Sequence, residues 1–493
     1  MQLELYLLIL PVTAAILSLM ARSDKFDIIV LPITALLYIS VICNISPTTV
    51  SNDGYFGIDS LSYLFLVILA LIFAGSSIYS INFIKHLHKK NPDSRHLFIN
   101  GMFKYTRIYA PLMLLVVASM TGVIISSRLT LMWVFIEAST LFSAPLIYYH
   151  KDEETLEAVW KYLFICSVGV ALAFVGRIAI AQAAKNLPET NLTIDYLITN
   201  ASLLGKPWIV IAFVFALIGF GVKMGLAPMH TWLPDAYSSA PAPISALLSG
   251  ALSACAFFVI LRYYQILRAV DMLIFARYLL ISFGMLSIFV CAVYSVRVKN
   301  FKRLLAYSSI EHIGILSIGI GLGGYAIYAV MLHAVCHSMA KHSLFHIAGN
   351  FLKAYSSVDI DRIKSASSHI PINSILLFVL IFILLGFPPS GIFISEFTIL
   401  KEMVQTSNWA VLIIFVLLLT IIAYSFISAA IKMIYSPMDA QIQNEVKIKT
   451  NESVLDYISP MIFMGILILL GLHIPAWFEN VLQNAVKALG GSL

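Results

Sequence analysis

Two titratable side chains stand far inside apolar stretches of the sequence. Lys223 lies well within a run that begins near Trp208, and Glu137 has no other charged residue within eight positions on either side. A charge near the centre of a bilayer costs roughly 3 kcal/mol on insertion scales, so such residues normally face a protein or water-filled interior. Because burial disfavours the charged form of each group, a lysine and a glutamate that meet there can exchange protons. An ion pair that only holds two helices together is the alternative.

A second set of titratable residues has helical spacing. One stripe recurs every four residues in MLHAVCHSMAKHSLFHIAGN and would lie along one face of a helix: His333, His337 and Lys341. Such a stripe inside a membrane suits a proton wire, with water between the imidazole and ammonium groups. His312, beside Glu311, would extend the row toward Glu396. His-x3-His is also ligand spacing, but no cysteine or carboxylate of this segment completes a site, so we predict no metal.

Several other titratable residues allow a direct role or a plainer one. His342 and His346 fall on flanking faces of the same helix, where packing or an end position is enough to explain them. Lys161 closely follows three glutamates, so it suits either a lysine that extends to the membrane surface or one that carries protons. In the segment HTWLPDAYSSAPAP, the mouth of a pathway and a tight turn are both compatible with His230 and Asp235.

Proline interrupts two apolar segments beside these groups. Pro228 stands five residues after Lys223, and the pair Pro388 and Pro389 in GFPPSGIFISEF precedes Glu396 by about two turns. A proline inside a helix removes a backbone donor and clashes with the carbonyl four residues earlier, which kinks or breaks the helix. Interrupted helices in the two halves of a membrane protein indicate a transport pathway. A proline that merely bends its helix is the simpler alternative.

The elements that must position these groups are membrane helices. Of the 493 residues, 60% are hydrophobic and 11% are charged, whereas soluble domains carry about 25% charged residues. The first 21 residues lack a basic n-region, so we interpret them as a transmembrane helix and not as a cleaved signal. Apolar runs of at least about 18 residues predict an all-α polytopic membrane protein with fourteen spans. The spans lie near residues 3–21, 27–46, 61–84, 109–126, 129–149, 157–183, 207–229, 241–266, 271–296, 302–322, 325–352, 370–397, 408–434 and 455–478.

The basic residues divide unevenly between alternate loops. Of 31 lysines and arginines, nineteen fall on one side, eight fall on the other, and four lie inside the segments. Because cytoplasmic loops are rich in basic residues, this division predicts both termini on the non-cytoplasmic side of the cell inner or plasma membrane. The five cysteines are scattered without a CxxC pair, so we expect small core residues and no disulfide framework.

A weak internal symmetry relates the fourth to eighth segments to the ninth to thirteenth. FIEAS around Glu137 matches SIEHI around Glu311, and the segment interrupted at Pro228 matches the one interrupted at Pro388. The offset of five helices predicts two inverted five-helix repeats, each with a broken helix. The predicted units are three N-terminal helices with a basic cytoplasmic loop (1–108), a first repeat (109–266), a second repeat (267–436) and a C-terminal helix (437–493).

Four long motifs mark the central part of the chain: GFGVKMGLAPMHTWLPDAYSSAP, NFKRLLAYSSIEHIG, HAVCHSMAKHSLF and GFPPSGIFISEF. From about residue 100 to 435 the chain resembles the antiporter-like membrane subunits shared by respiratory complex I, Mrp-type cation/proton antiporters and energy-converting membrane-bound NiFe hydrogenases. The details KMGLAPMHTWLPDA, AYSSIEH and KYLFICSVG are most similar to the hydrogenase branch, of the kind found in formate hydrogenlyase complexes. No Walker A loop, GxGxxG strand motif or haem-attachment motif indicates nucleotide hydrolysis or electron transfer in this chain.

The resemblance implies fourteen helices with two inverted repeats and a set of proton-carrying residues. Those residues are Glu137, Lys223, His312, His333, His337, Lys341 and Glu396, while Lys161, His230, Asp235 and Glu311 are secondary candidates from the residue pattern. The implied partners are other membrane subunits and a peripheral cytoplasmic redox arm, whose subunits would carry iron–sulfur clusters and a NiFe centre. We expect no cofactor and no nucleic acid on this chain. One departure is that many complex I relatives read LSGVLLK where this chain reads LSGALSA, which puts Ala254 in place of a lysine.

These observations favour a subunit that moves protons, or exchanges sodium for protons, driven by redox chemistry in the partner subunits of a proton-translocating oxidoreductase. The alternatives are a gradient-driven Mrp-type cation/proton antiporter, a membrane partner of an inorganic-carbon uptake system, and a structural subunit that does not conduct. The intact set of Glu137, Lys223, Lys341 and Glu396 argues against the structural alternative.

Overall fold

The structure is a computed structural model that describes residues 3–21, 23–47, 49–50, 54–90, 98–99, 102–103, 105–149, 151–188, 192–438 and 452–491. Five basic residues from the loop count lie outside these ranges, namely Arg22, Arg95, Lys104, Lys447 and Lys449. Of the described residues, 82% are helical, which confirms the predicted all-α class. Two short antiparallel hairpins pair β1 (Thr49–Val50) with β2 (Gly57–Ile58) and β3 (Phe98–Ile99) with β4 (Met102–Phe103).

The helices follow one another with short connections. Those of the first half are α1 (Leu3–Ala21), α2 (Asp24–Cys43), α3 (Ser60–Lys90), α4 (Tyr105–Ile125), α5 (Leu129–Ile147), α6 (Glu153–Ala183), α7 (Ile194–Thr199), α8 (Lys206–Met224), α9 (Leu233–Ser239), α10 (Ala242–Leu247) and α11 (Ser253–Ala269). Those of the second half are α12 (Leu273–Ser295), α13 (Phe301–Leu322), α14 (Ala326–Tyr355), α15 (Ala366–His369), α16 (Pro371–Leu384), α17 (Gly391–Gln405), α18 (Trp409–Tyr435), α19 (Val454–Leu472) and α20 (Ala476–Leu489).

The described helices can be matched to the fourteen predicted spans. Twelve helical spans are long and apolar enough by themselves, with α10 and α11 counting as one. The long but more polar α14 and the interrupted pair α16 and α17 complete the predicted number. The inverted relation between two five-helix units and the division into four units remain predictions.

The centre of the bundle is formed by α13 and α14. The apolar stretch of α13 is completely buried, whereas only 28% of the apolar stretch is buried in each of α12 and α18. Helix α14 is buried along almost its full length between α3, α13, α17 and α19. A helix buried on all sides can place polar groups only against other helices, so the titratable residues of α13 and α14 face the protein interior.

Both predicted interruptions occur, and glycine ends the helix in each case. Helix α8 stops at Met224, Gly225 follows with φ +94°, and the Leu226 amide donates to the Gly221 carbonyl at 2.8 Å. Helix α16 ends in the same way, with Gly386 at φ +69° and the Phe387 amide donating to the Phe382 carbonyl at 3.0 Å. These are Schellman caps, in which a left-handed glycine lets the last carbonyls find donors. The prolines then lie beyond the helix ends rather than inside them.

Two local features shape the first half of the bundle: a close glycine contact between α6 and α8, and a π-helical turn between α10 and α11. A Cβ on Gly219 would lie 2.5 Å from the Gly169 carbonyl, so these glycines permit close backbone contact, as small residues do in membrane helix pairs. Between α10 and α11, residues Leu248–Leu252 form a π-helical turn. Such turns re-aim side chains and are frequent at functional sites. Sequence patterns did not predict this turn.

A charged contact fixes the middle of α11. Arg262 donates to both oxygens of Asp59, at 2.6 and 2.7 Å, in a bidentate ion pair just before α3 begins. Burial raises the pKa of Asp59, but the Arg262 guanidinium outweighs burial and lowers this pKa to about 2. The pair joins residues that are about 200 positions apart, so it fixes α11 against the start of α3.

Two details differ from the sequence expectations. The final helix α20 was not predicted, because its 14 residues are too short and too polar for a span. Its apolar side, formed by Phe478, Leu482 and Val486, is buried against the bundle. Four cysteines are buried as expected, whereas Cys43 at the end of α2 is exposed.

Candidate ion pathway

The ammonium group of Lys223 is fully buried near the end of α8 and is held by two hydroxyl groups. Its Nζ donates to Thr140 Oγ1 and to the Tyr162 hydroxyl, each at 2.7 Å. The Tyr162 hydroxyl also lies 2.6 Å from Ser143 Oγ. Trp232, from the segment after the break, covers the site and donates to the Val222 carbonyl at 2.8 Å. A lysine held by neutral hydroxyls can gain or lose its proton without breaking an ion pair.

Glu137 lies one turn before Thr140 on α5 but does not form the ion pair considered from the sequence. No pair within 4.0 Å joins Glu137 and Lys223, both of which are described residues, although the two interact electrostatically. One Glu137 oxygen accepts from Ser167 Oγ at 3.3 Å, and the other is buried without a hydrogen-bond partner. Thr140 and Tyr162 take two of the three donors of the lysine, and Glu137 takes none. Glu137 is therefore coupled to Lys223 through space.

A small cavity lies between the end of α8, next to Lys223, and the histidines of α14. Its volume is about 10 Å³, and it is lined by Met224, Ser253, Ala254, Phe257, Ile313, Leu316, Ala334, His337 and Ser338. This volume is close to the minimum for one water molecule, and the two serines and the histidine offer polar partners. The cavity joins the residue after Lys223 to the histidines of α14. Ala254, the position at which the sequence departs from complex I relatives, forms part of its wall.

The predicted histidine row exists and extends across three helices. His312 Nδ1 on α13 lies 3.0 Å from His333 Nε2 on α14, and His333 Nδ1 lies 2.8 Å from Ser395 Oγ on α17. The ring of His337 lies 4.9 Å from that of His312, between centroids. His312 Nε2 and His337 Nε2 are buried and have no partner among the described residues. Neighbouring imidazoles with free nitrogens are suited to passing protons.

Lys341 and Glu311 lie beside the histidines on facing helices. Lys341 Nζ donates to Ser308 Oγ at 2.7 Å and also to the Leu305 carbonyl, both on α13. Glu311 is buried next to Cys291, whose Sγ is 3.9 Å from its carboxylate, and it interacts electrostatically with Lys341. As with Lys223, the lysine bonds neutral groups and its acidic neighbour remains at a distance. Both halves therefore place a buried lysine near, but not against, a carboxylate.

Glu396 lies at the second break and closes the row. Its carboxylate is almost fully buried, and a Cβ on Gly386 would lie 2.2 Å from its Oε2 atom. Ligand atoms of His312, His333 and Glu396 all lie within 4.8 Å of one another, which is compatible with a small cation or a shared proton. The His-x3-His pair considered from the sequence was His333 and His337, and His337 does not belong to this group. The other two members, His312 and Glu396, come from α13 and α17.

Three of the four secondary candidates, namely Lys161, His230 and Asp235, lie at one end of the pathway. Asp235 bridges Lys161 at 3.0 Å and Arg303 at 2.5 Å, and Lys161 also pairs with Glu157 at 2.6 Å. The Lys161 side chain is 43% exposed, which favours the interfacial interpretation over a buried proton carrier. His230 is buried near this end, and its Nδ1 has no partner. This ion-pair group can form the mouth of the pathway.

Sequence reasoning missed the hydroxyl groups that hold the charged residues. Thr140, Tyr162, Ser308 and Ser395 each contact a lysine or a histidine of the row. Serine, threonine and tyrosine are too common in membrane helices to stand out alone. Thr140 lies three residues after Glu137, on the same helix face, and this spacing was the one available signal. We refer below to Lys223, Lys341, Glu311, the three histidines and Glu396 as the central row.

The same fold and family are found in known proteins. The model of the NADH:quinone oxidoreductase/Mrp antiporter transmembrane family matches residues 126–423. The hydrogenase-4 component F homolog of Methylacidiphilum infernorum is 33% identical over 358 residues, 71% of this chain and 72% of that protein. A chain of the membrane-bound sulfane sulfur reductase, an archaeal respiratory membrane complex, matches with a TM-score of 0.84 at 20% identity, over 99% of this chain and 98% of that one. A chain of the Mrp complex of Dietzia sp. DQ12-45-1b matches with a TM-score of 0.80 at 16% identity, over 99% and 97% of the two chains. This chain therefore belongs to the NADH:quinone oxidoreductase/Mrp antiporter family of multi-pass membrane subunits.

Proposed function

We propose that this chain is the proton-translocating subunit of a redox-driven membrane complex of the membrane-bound NiFe hydrogenase type. The observation that carries this proposal is the central row itself. Buried titratable groups follow one another from Lys223, through the small cavity, to the histidines and Glu396, and a helix break lies at each end. Buried charged residues in a membrane protein are costly and usually mark an ion path.

The row can be driven electrostatically from Glu137. This carboxylate is only partly buried, has one weak protein contact and acts on Lys223 through space. A neighbouring subunit that changes the charge near Glu137 would change the proton affinity of the lysine. Because Lys223 is held only by hydroxyl groups, its proton can then pass through the cavity toward His337.

The setting of the subunit follows from the same proposal. The partners are other membrane subunits and a peripheral cytoplasmic redox arm that carries iron–sulfur clusters and a NiFe centre. The excess of basic residues in alternate loops supports a cell membrane location with both termini outside the cytoplasm. In this orientation the Lys161–Asp235–Arg303 group lies at the cytoplasmic mouth.

Exchange of sodium for protons is the second candidate. The group of His312, His333 and Glu396 brings two nitrogens and a carboxylate oxygen together at the second break. The family that matches the chain also includes Mrp antiporter subunits. If the chain works in an antiporter without redox partners, ion movement will depend on a cation gradient and not on electron transfer.

The decisive experiment uses the intact complex in proteoliposomes, with proton translocation and redox turnover measured together. Lys223→Ala and Glu137→Gln should abolish translocation and leave electron transfer to artificial acceptors largely unchanged. Lys401→Ala, which removes an exposed lysine on α17, is the matched control and should behave as wild type. Normal translocation in Lys223→Ala would refute the proposal, and translocation driven by a sodium gradient without redox turnover would favour the antiporter.

A further inference from the structure

A second polar stripe runs along a different face of α14 from the central row. Its members recur every four residues, and so lie one above another: Ser338, His342, His346 and Asn350. Lys341 faces α13, where it bonds Ser308. The next residue, His342, faces α3, where its Nε2 lies 3.1 Å from Ser76 Oγ. Helix α14 therefore presents one titratable stripe to α13 and another to α3, and only the first was expected to carry chemistry.

His342 and His346 are fully buried and only partly hydrogen bonded. Their ring centroids are 4.0 Å apart, and the His346 ring stacks on Tyr79 at the same separation. His342 Nδ1, both ring nitrogens of His346 and the nearby Ser459 Oγ have no partner among the described residues. A buried polar atom without a partner costs about 1–3 kcal/mol, so a group of four favours the binding of something that forms hydrogen bonds.

The ligand that fits this histidine pair is a proton. Within the described ranges, the metal-binding side chains whose ligand atoms converge in a group of three are His312, His333 and Glu396. Neither His342 nor His346 belongs to that group. The two rings are in contact, and a second positive charge at this distance is disfavoured, so the pair can take up at most one proton. The pair is thus a site for a single proton inside the protein.

A group of polar contacts leads from Tyr79, whose ring stacks on His346, to the surface. The Tyr79 hydroxyl donates to Asn350 Oδ1 at 3.0 Å, and Asn350 Nδ2 donates to the Asp456 carbonyl at 2.9 Å. Lys353 Nζ pairs with Asp456 Oδ2 at 2.6 Å, and the Lys353 side chain is 37% exposed. Asp456 takes part through its backbone carbonyl on one side and its carboxylate on the other, and Tyr79 meets His346 by ring stacking. Proton transfer along this path therefore needs a water molecule at each of these two points.

The other end of the stripe reaches the central row. Ser338, one turn from His342, lines the small cavity together with His337. Residues four apart on a helix have Cβ atoms about 5–6 Å apart, a gap that one water molecule can bridge. The second stripe thus leads to the point where the two halves of the central row meet.

Two glycines make room for this arrangement. A Cβ on Gly75 of α3 would lie 2.5 Å from the His342 ring and 2.7 Å from Ser459 Oγ. A Cβ on Gly349 of α14 would lie 2.6 Å from the Tyr79 hydroxyl. Any larger residue would push these polar groups apart, so the contact between α3 and α14 depends on glycine at both positions.

We propose that the second stripe is a lateral proton route between the surface at Lys353 and the small central cavity, with His342 and His346 as its proton-holding site. This inference rests on the proposed function, since a route to the central row matters only if that row conducts. In the proposed orientation the route opens on the cytoplasmic side, separately from the mouth at Asp235.

Tyr79→Phe tests the route without disturbing its packing, because phenylalanine keeps the ring stack and removes only the hydroxyl. In the reconstituted complex we expect a fall in proton translocation of at least about tenfold, since proton relays of this kind contribute about 10²–10⁴-fold. The solvent deuterium isotope effect on translocation should rise, which a packing defect would not cause. Tyr355→Phe removes a buried hydroxyl further along α14 that bonds the Lys364 carbonyl, and should leave both values unchanged.

A second pair of variants tests the histidine site independently. Gly75→Ala should lower translocation by displacing His342, whereas Gly465→Ala on α19 should not, because its Cβ would meet no atom within 4 Å. If Lys223→Ala abolishes translocation while Tyr79→Phe and Gly75→Ala translocate normally, the lateral route is refuted and the proposed function stands. If Lys223→Ala translocates normally, the proposed function fails, and the lateral route fails with it.

Discussion

Filling the small central cavity should separate the two halves of the central row. Ala254→Val adds two methyl groups at the wall of a cavity of about 10 Å³, which has room for about one water molecule. Ala254→Thr has nearly the same shape but replaces one methyl group with a hydroxyl, which can donate and accept a proton. Both variants crowd the site to a similar degree, at a cost of about 1–3 kcal/mol in folding free energy. Their difference therefore reports on the polar connection alone.

The size of the effect follows from the lining of the cavity. With valine, the space for a water molecule beside His337 and Ser338 is filled by methyl groups, and a lost hydrogen-bond partner costs about 1–3 kcal/mol. At about 1.4 kcal/mol per factor of ten, proton transfer across the gap should slow roughly 5- to 150-fold. Threonine should retain most of the wild-type rate.

The assay is proton translocation by the reconstituted complex, measured as the initial rate of acidification or alkalinisation per electron transferred. Thermal unfolding of both variants in detergent provides the control for equal packing damage. Wild-type translocation in Ala254→Val would show that protons do not cross at this cavity. An equally low rate in Ala254→Thr would show that crowding, and not the loss of a polar connection, causes the defect.

Three further predictions use other parts of the structure. Gly386→Ala should displace Glu396 and destabilise the break by about 1–2 kcal/mol, since its Cβ would meet the carboxylate at 2.2 Å with a left-handed backbone; translocation and thermal unfolding measure the two effects. Tyr162→Phe should lower translocation by removing one of the two hydroxyls that hold the buried lysine, with redox turnover largely retained. Asp59→Asn should lower the unfolding temperature at neutral pH by breaking the pair with Arg262. Because the folded-state pKa of Asp59 is lowered to about 2, its stabilisation is complete above the unfolded value of about 4 and is lost as the pH falls toward 2, so wild type and variant should converge there.

Each of these three predictions has a control variant or a result that would contradict it. Gly465→Ala places a methyl group in open space and should match wild type, so an equal defect there would contradict the account of Gly386. Tyr38→Phe removes a buried hydroxyl that bonds Thr121, away from the central row, and should leave translocation unchanged. A constant difference between wild type and Asp59→Asn from neutral pH to pH 2 would exclude the assigned role of the Arg262 pair.

Much of the fold could be predicted because membrane helices are specified locally. An apolar run of 20 residues has few alternatives to a spanning helix in a bilayer, whatever its neighbours are. The interruptions near Pro228 and Pro388 were predictable for the same reason. The glycine that ends each helix was not, because a left-handed glycine depends on the packing around it, as the contact between Gly386 and Glu396 shows.

By itself the sequence determined that this is a polytopic membrane protein with costly charges at Glu137, Lys223, Lys341 and Glu396, since composition and spacing along the chain are enough for that conclusion. The tertiary structure decided what those charges touch. Lys223 bonds two hydroxyls instead of Glu137, and helix α14 presents titratable groups to two different neighbours. These contacts join residues about 30 to 270 positions apart, and no local pattern records which face of one helix meets which face of another.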